Sequence, residues 1–136
     1  MLLPRGTVIA LLDGQHFELF RNDGDEGTPQ LASLDKPALD SSNHSGTSHH
    51  SSSGNRDHGM MGEDAHAAAA AGWLNEQVLG HKIDDLVIFA APRTLGELRK
   101  HYHARTQQAI LKEYNKDMIG SQASDILAAL DEKAET

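Results

Sequence analysis

Three apolar or alternating segments open the chain, and turn residues separate them. Residues 7–12 are continuously apolar and partly β-branched, which predicts a buried central strand. Asp13-Gly14 is a two-residue turn signal that favours the positive φ angles of a tight hairpin, so residues 15–21 are expected to return beside the first strand. Residues 28–34 predict a shorter third strand, and Pro29 assigns it to a sheet edge because proline cannot donate to the ladder.

The second half of the chain alternates between helical and strand patterns. Residues 63–80 begin with acidic residues, continue through an alanine run and end at a glycine, which predicts a helix. Residues 85–90 are apolar and predict a fourth strand. Thr94 and Glu97 have the spacing of a capping box, so a second helix is expected from Thr94 to about residue 103. A last helix is expected over residues 121–133.

Residues 109–114 fit two interpretations. Leu111, Tyr114 and Met118 have helical spacing, whereas Ile110 and Leu111 also suit a short strand. In the strand interpretation the order is β-β-β-α-β-α-β-α. Hairpins make the first three strands antiparallel, and right-handed crossovers make the later ones parallel. The predicted fold class is then α/β, with an RNase H-like mixed five-stranded sheet of order 3-2-1-4-5 and flanking helices.

Residues 35–62 contain mostly Ser, Gly, Asn and His, and almost no apolar residues. Such a segment buries too little surface to offset its ordering entropy, so we expect a flexible loop within a single domain spanning 1–136. Its histidines are weak candidates for loose Zn or Ni binding, and a His/Ser-rich linker is the favoured interpretation. These histidines are His44, His49, His50 and His58. No metal or other cofactor is expected.

The charge balance argues against electrostatic binding of nucleic acid or an anionic membrane by the protein surface as a whole. The 136 residues include 12 Lys and Arg against 20 Asp and Glu, a net charge of -8. Cations nevertheless concentrate between residues 93 and 116, where Glu97 and Glu113 are the acidic residues. The sequence contains no cysteine, no secretory pattern at Met1 and no long apolar run, so we expect a cytoplasmic protein without membrane insertion.

A longer motif carries a family resemblance. Residues 86–102 have the sequence L-V-I-F-A-A-P-R-T-L-G-E-L-R-K-H-Y, and they accompany Leu2-Leu3-Pro4, the Asp13-Gly14 turn and the His/Ser-rich loop. With these features essentially the whole chain resembles the bacterial family described as proteins required for attachment to host cells. That family in turn looks like a bacterial relative of the middle domain of eukaryotic and archaeal peptide-chain release factors.

The resemblance implies an RNase H-like core. It also indicates where a catalytic tripeptide would lie. In the release-factor domain a catalytic Gly-Gly-Gln tripeptide lies on the loop between the third strand and the first long helix. The matching segment here is residues 35–62, which contains no Gly-Gly-Gln. The resemblance therefore implies a binding module without that device for hydrolysing peptidyl-tRNA, and host attachment as an indirect consequence.

The first candidate site lies where the first and fourth strands end. Ligands in open α/β sheets tend to bind where strand connections diverge, and an arginine at a helix start suits phosphate or carboxylate. Asp13, Arg93, Thr94 and Asp117 are the candidates for a ligand or anion site. The alternative is structural: Arg93 pairs with Asp13 or Asp117 and holds the turn.

A second candidate site is a run of basic residues near the end of the second predicted helix. Arg99, Lys100, His101, His103 and Arg105 suit contacts with RNA phosphates or another partner. The alternative is a solvated helix end whose cations complement the macrodipole.

A nuclease of RNase H type needs acidic residues on strand 1, helix 1 and strand 4. Asp13 and either Glu63 or Asp64 suit two of these positions, but strand 4 ends in Ala90-Ala91-Pro92. The sequence therefore favours a non-catalytic module whose partner is the ribosome, RNA or a protein. A small-anion sensor or a hydrolytic enzyme at Asp13 and Arg93 is the alternative. The pattern does not set the oligomeric state.

Overall fold

The structure is a computed structural model that describes residues 2–39 and 62–131. Nine elements follow one another along these residues. They are β1 (Val8–Leu12), β2 (Phe17–Asn22), β3 (Leu31–Ser33), α1 (Glu63–Leu79), β4 (Leu86–Ala90), α2 (Pro92–Arg99), α3 (Ala104–Ala109), β5 (Ile110–Asn115) and α4 (Ala123–Leu130).

The strands form one mixed five-stranded sheet of order β3-β2-β1-β4-β5. The β1–β2 and β2–β3 pairs are antiparallel, as hairpin connections require. The β1–β4 and β4–β5 pairs are parallel. The predicted α/β architecture with an RNase H-like five-stranded sheet is therefore confirmed, and the ambiguous stretch near residue 110 is the fifth strand.

Side chains of the central strands alternate between two core layers, because successive strand residues point to opposite sheet faces. Val8, Ala10 and Leu12 pack in a cluster with Ala70 and Leu74 of α1. The intervening residues of β1 join a second cluster on the other face, which includes Ile126 and Leu130 of α4. Helices thus cover both faces of the sheet, and the alanines of α1 allow a close approach.

The capping box predicted at Thr94 and Glu97 is wrong. Helix α2 begins at Pro92 with Ala91 as its N-cap, because proline at the first helical position has its φ angle already set and lacks an N–H that would go unused. The predicted helix does not extend to residue 103, and a separate helix that the sequence did not predict follows it. Helix α2 ends at Arg99, and α3 begins after His103, whose Nδ1 accepts the Arg105 N–H at 3.0 Å.

The hairpin after β1 also differs from the expected one. The Asp13 N–H donates to the His16 carbonyl at 3.1 Å, so Gly14 and Gln15 form the tip. Positive φ angles among the described residues occur at Gly6, His81 and Gly120. The positive φ expected at Gly14 is therefore wrong, because hydrogen bonds to the Asp13 carboxylate shape this turn instead.

The Ser/Gly/His-rich segment is described only at its ends. Leu39 is partly buried and packs against the core cluster of α1, so the described start of this segment contacts the fold. Residues 40–61, with His44, His49, His50 and His58, lie outside the described residues. The flexible loop and the single-domain boundaries stay predictions. None of the helices built from the described residues combines the length and hydropathy needed to span a bilayer.

Candidate functional site

Polar side chains from three elements meet where β1 and β4 end. The turn after β1, the start of α1 and the start of α2 contribute them, and their mutual contacts are described below. We call this group the hairpin–helix cluster. Its members are Asp13, His16, Glu63, Asp64, His66 and Arg93.

The carboxylate of Asp13 is hydrogen-bonded to the backbone of its own turn. Its Oδ1 accepts the N–H groups of Gln15 at 2.8 Å and His16 at 2.6 Å, and the His16 Nδ1 lies 3.0 Å away. Partial burial alone would raise the pKa of Asp13, but these hydrogen bonds outweigh burial and hold its pKa below the ordinary value. The Asp13 carboxylate therefore has a structural role in the hairpin turn.

His66 fastens helix α1 to the same hairpin. The side chain is 7% exposed, and its Nε2 lies 3.1 Å from the carbonyl oxygen of His16. A carbonyl only accepts, so this contact requires the proton on Nε2. The sequence contained no signal for this contact, because the two residues lie 50 positions apart.

Arg93 pairs with the first turn of α1. Its Nη1 lies 3.8 Å from Glu63 Oε1, and its Nη2 lies 3.6 Å from Asp64 Oδ1. The expected pairing with Asp13 or Asp117 is wrong, because the start of α1 supplies two carboxylates beside the guanidinium. The Arg93 side chain is 73% exposed, so both pairs lie at the surface.

Glu63 connects Arg93 to the hairpin tip. A Cβ atom added at Gly14 would lie 2.7 Å from both Cγ and Cδ of Glu63. The acidic side chain therefore lies directly over the glycine, and a side chain at position 14 would displace the flexible end of Glu63. The sequence had suggested Glu63 as a metal ligand, whereas the structure uses it as a bridge between the hairpin and α2.

The two remaining candidates for the anion site lie apart from these contacts. Asp117 follows β5, and its Oδ1 accepts the Ile119 N–H at 3.1 Å, which closes a local turn. Thr94 lies half-buried in the first turn of α2. Within residues 2–39 and 62–131, no hydrogen bond or ion pair joins either residue to Arg93, and no three His or acidic side chains are arranged to hold a metal ion.

The second candidate site, which we call the basic segment, comprises Arg99, Lys100, His101, His103 and Arg105. The structure gives several of these residues acidic partners. Arg99 donates through Nε and Nη2 to Glu113 Oε1, at 3.0 and 2.7 Å. Lys100 and His101 lie 3.2 and 3.3 Å from Glu97, and their hydrogen bonds hold the pKa of Glu97 below its ordinary value.

Asn75 of α1 anchors the basic segment. Its Nδ2 donates to the His101 carbonyl at 2.9 Å. Its Oδ1 accepts the His103 N–H at 2.9 Å and the Thr106 hydroxyl at 2.7 Å. The connection between α2 and α3 is therefore held rigidly against α1, which presents the exposed Arg105 on a defined surface. Nothing in the sequence pattern distinguished Asn75 from other polar helix residues.

Comparison with protein families matched the chain to the family described as Bacterial archaeo-eukaryotic release factor family 12. The match spans residues 6–130, which contain all nine described elements. Comparison with curated proteins gave no match. The release-factor part of the resemblance is thereby confirmed, and the host-attachment name stays a prediction.

Proposed function

The chain belongs to bacterial archaeo-eukaryotic release factor family 12, and from that membership we propose that it is a non-catalytic binding module whose partner is a ribonucleoprotein. The observation that carries the proposal is the family match over residues 6–130. Release factors work on ribosomes, so the ribosome is the first partner to test. A ribosomal partner also implies a cytoplasmic location.

The non-catalytic part of the proposal depends on the tripeptide. The whole sequence contains no Gly-Gly-Gln. The resemblance assigns that device to the connection between β3 and α1, so the chain lacks the groups that would hydrolyse peptidyl-tRNA there. A module of this kind acts by binding its partner and not by catalysing a reaction.

The basic segment and Lys112 supply the charge that such a partner needs. Two of the cations, Arg99 and Lys100, are paired with Glu113 and Glu97. Arg105 and Lys112 are exposed and have no ion pair among the described residues. This end of an otherwise acidic protein thus carries four cations against two carboxylates, which suits contacts with RNA phosphates.

Sedimentation with ribosomes at low and high salt tests the proposal. We expect the triple variant Arg99→Gln, Lys100→Gln and Arg105→Gln to bind more weakly than the parent. Its plot of log affinity against log salt should be flatter by about three units, because each lost phosphate contact removes about one.

A matched triple variant provides the control. Arg5→Gln, Arg21→Gln and Lys36→Gln make the same change in net charge near β2 and β3, where all three cations are exposed and paired with carboxylates. We expect this variant to sediment like the parent. Equal weakening in both triples would contradict a role for the basic segment. Failure of the parent to sediment at any salt would overturn the ribosomal partner and favour a protein partner.

The alternative of a small-anion sensor or a hydrolytic enzyme at Asp13 and Arg93 has less support. Glu63 and Asp64 lie beside Arg93 and would repel an incoming anion. Asp13 is already engaged by the backbone of its turn.

A further inference from the structure

The sheet has two outer edges, and they differ in how far they are protected. β3 forms one edge with three residues, and Pro29 lies shortly before it. β5 forms the other edge with six residues, none of which is proline. Short edge strands and proline are two of the ways in which proteins prevent a further strand from pairing with a sheet. β5 lacks both, so its outer side is the more open end of the sheet.

The outer side of β5 presents backbone groups that no described residue uses. In a parallel ladder alternate residues of a strand bond to the neighbouring strand, and the residues between them direct their N–H and C=O groups away from it. The Lys116 N–H donates to the carbonyl of the last β4 residue at 3.1 Å, so Lys112 and Tyr114 also face β4. Glu113 and Asn115 therefore face outward. Within the part of the chain that the structure describes, no hydrogen bond reaches the backbone groups of these two residues from outside the sheet.

The side chains along this edge divide between the two faces of the sheet. Tyr114 belongs to the core cluster on the face that α4 covers. Lys112 and Lys116 lie two residues to either side of it, so they project from the same face, and both are exposed. Glu113 projects from the opposite face, where Arg99 pairs with it. One face of the edge therefore carries two cations that flank an aromatic residue.

A second copy of the chain suits this edge poorly. A symmetric antiparallel pair that uses the outward backbone groups can centre on position 112, 113 or 114 of β5. These registers place Lys112 opposite the partner's Lys112, Glu113 opposite the partner's Glu113, or Lys112 opposite the partner's Lys116. Like charges directly opposite one another destabilise a strand pair, and the net charge of -8 adds repulsion between copies. The edge therefore favours a strand with a different charge pattern.

We propose that the outer edge of β5 binds an extended, acidic segment of a partner protein, which pairs antiparallel to β5 as a sixth strand of the sheet. Residues of that segment opposite Glu113 and Asn115 exchange N–H and C=O hydrogen bonds with them, which supplies affinity. Acidic side chains opposite Lys112 and Lys116, with an apolar side chain between them opposite Tyr114, supply specificity. The inference goes beyond the proposed function, and the ribosomal test leaves Lys112 unchanged.

Titration of the whole protein with the blocked peptide T-E-T-V-T-E-T, followed by backbone amide NMR shifts, tests the inference. The glutamates of the peptide match Lys112 and Lys116, and its valine matches Tyr114. We expect the shift changes to concentrate in β5. The charge-reversed peptide T-K-T-V-T-K-T should bind about tenfold more weakly or worse, because two attractive cross-strand pairs become repulsive.

N-methylation of the peptide separates strand pairing from simple charge attraction. The two threonines beside the valine pair with Glu113 and Asn115, so methylating their amides removes both donors to β5 and should abolish binding. Methylating the two glutamate amides, which point away from β5, is the matched control and should leave the affinity within about twofold of the parent peptide. Equal loss of binding by both methylated peptides would overturn the strand pairing.

Variants of the protein test the charge pattern. Lys112→Glu should weaken binding of the acidic peptide about tenfold, because an attractive cross-strand pair becomes repulsive. The same variant should bind the charge-reversed peptide more tightly than the parent protein does. Lys82→Glu makes the same change at an exposed lysine after α1 and should leave both affinities unchanged. Equal effects of the two substitutions would overturn the assignment of the acidic segment to β5.

Other occupants of the edge give distinct results. A uridine oligonucleotide that shifts the β5 amides more strongly than the acidic peptide would assign the edge to RNA and overturn the inference. A dimer of the protein alone that the peptide dissociates would assign the edge to a second copy and also overturn it. So would the absence of shift changes in β5 at millimolar peptide, even if the protein sediments with ribosomes. Peptide binding without ribosome sedimentation would support the inference and overturn only the ribosomal partner.

Discussion

The turn that follows β2 and the cavity between α2, α3 and β5 both have a buried polar group beside them. The two groups differ in their hydrogen bonding. Asn22 is fully buried in the first region. Its Nδ2 donates to the Leu3 carbonyl at 2.8 Å, and its Oδ1 accepts the N–H groups of Gly24 and Gln30, both at 2.9 Å. In the second region the Tyr102 hydroxyl is buried without a partner among the described residues.

The difference separates a buried polar group on which the fold depends from one on which it does not. A buried amide with both ends bonded stabilises one conformation of the surrounding chain, because losing any partner leaves a buried group unpaired. A buried hydroxyl without a partner, beside a cavity lined by charges, makes no such contribution to the fold. Removing the polar group should therefore lower stability in the first region and leave it nearly unchanged in the second.

Asn22→Ala should have the largest effect on stability. It removes the bond to Leu3 and leaves the N–H groups of Gly24 and Gln30 without their acceptor. We expect the free energy of unfolding to fall by about 3 kcal/mol, measured by urea denaturation. Asn115→Ala, at an exposed position of β5, is the control and should change the free energy by less than about 0.5 kcal/mol. Similar losses in both variants would contradict the role of Asn22.

Gly24→Ala should be the next most damaging change in this region. An added Cβ would lie 2.6 Å from the Thr28 carbonyl oxygen and 2.8 Å from the Gln30 backbone nitrogen, neither of which can move aside. We expect a loss of about 2 kcal/mol in the free energy of unfolding. Gly27→Ala in the same turn meets nothing within 4 Å and should be nearly neutral. Equal thermal stability of the two variants would show that the turn is looser than described.

Two tyrosine-to-phenylalanine changes compare a hydroxyl that has a partner with one that has none among residues 2–39 and 62–131. Tyr114→Phe removes the bond to the Leu130 carbonyl and should cost about 1 kcal/mol. Tyr102→Phe removes an unpaired buried hydroxyl and should leave stability unchanged or raise it by up to about 1 kcal/mol. Chemical denaturation of both variants checks the order. A larger loss at Tyr102 would mean that its hydroxyl has a structural partner.

Arg93→Ala should have the smallest effect. Both of its ion pairs lie at the surface, so we expect a loss of about 0.5 kcal/mol. Double-mutant cycles should detect coupling between Arg93→Ala and Glu63→Gln, but none with Asp13→Asn. A phosphate-dependent rise in melting temperature that Arg93→Ala abolishes would instead favour an anion site here.

The candidate site was only partly predictable from the sequence. Asp13 and Arg93 were correctly expected at the ends of β1 and β4, because a turn signal and a proline directly follow two apolar runs. Their partners were not predictable. Arg93 pairs with Glu63, and Asp13 turns back to His16.

By itself the sequence located the first three strands, the helix α1, the strand β4 and the last helix. Apolar runs, an alanine-rich helix and turn residues are local features, so β1, β4 and α1 could be located to within about one residue. With residues 109–114 taken as a strand, these elements also imply the sheet order, because hairpins and right-handed crossovers leave few topologies.

Only the tertiary structure decided what depends on residues that are distant in the chain. Ile110 and Leu111 suit a strand or a helix locally, and pairing with β4 selects the strand. Asn75 lies 31 positions from Thr106, and Asn22 lies 19 positions from Leu3. The Tyr102 hydroxyl is buried, with no partner among the described residues, because α2, α3 and β5 meet around it. Hydrogen-bond partners and cavities arise from the packing of elements, and no local pattern in the sequence records which side chains that packing brings together.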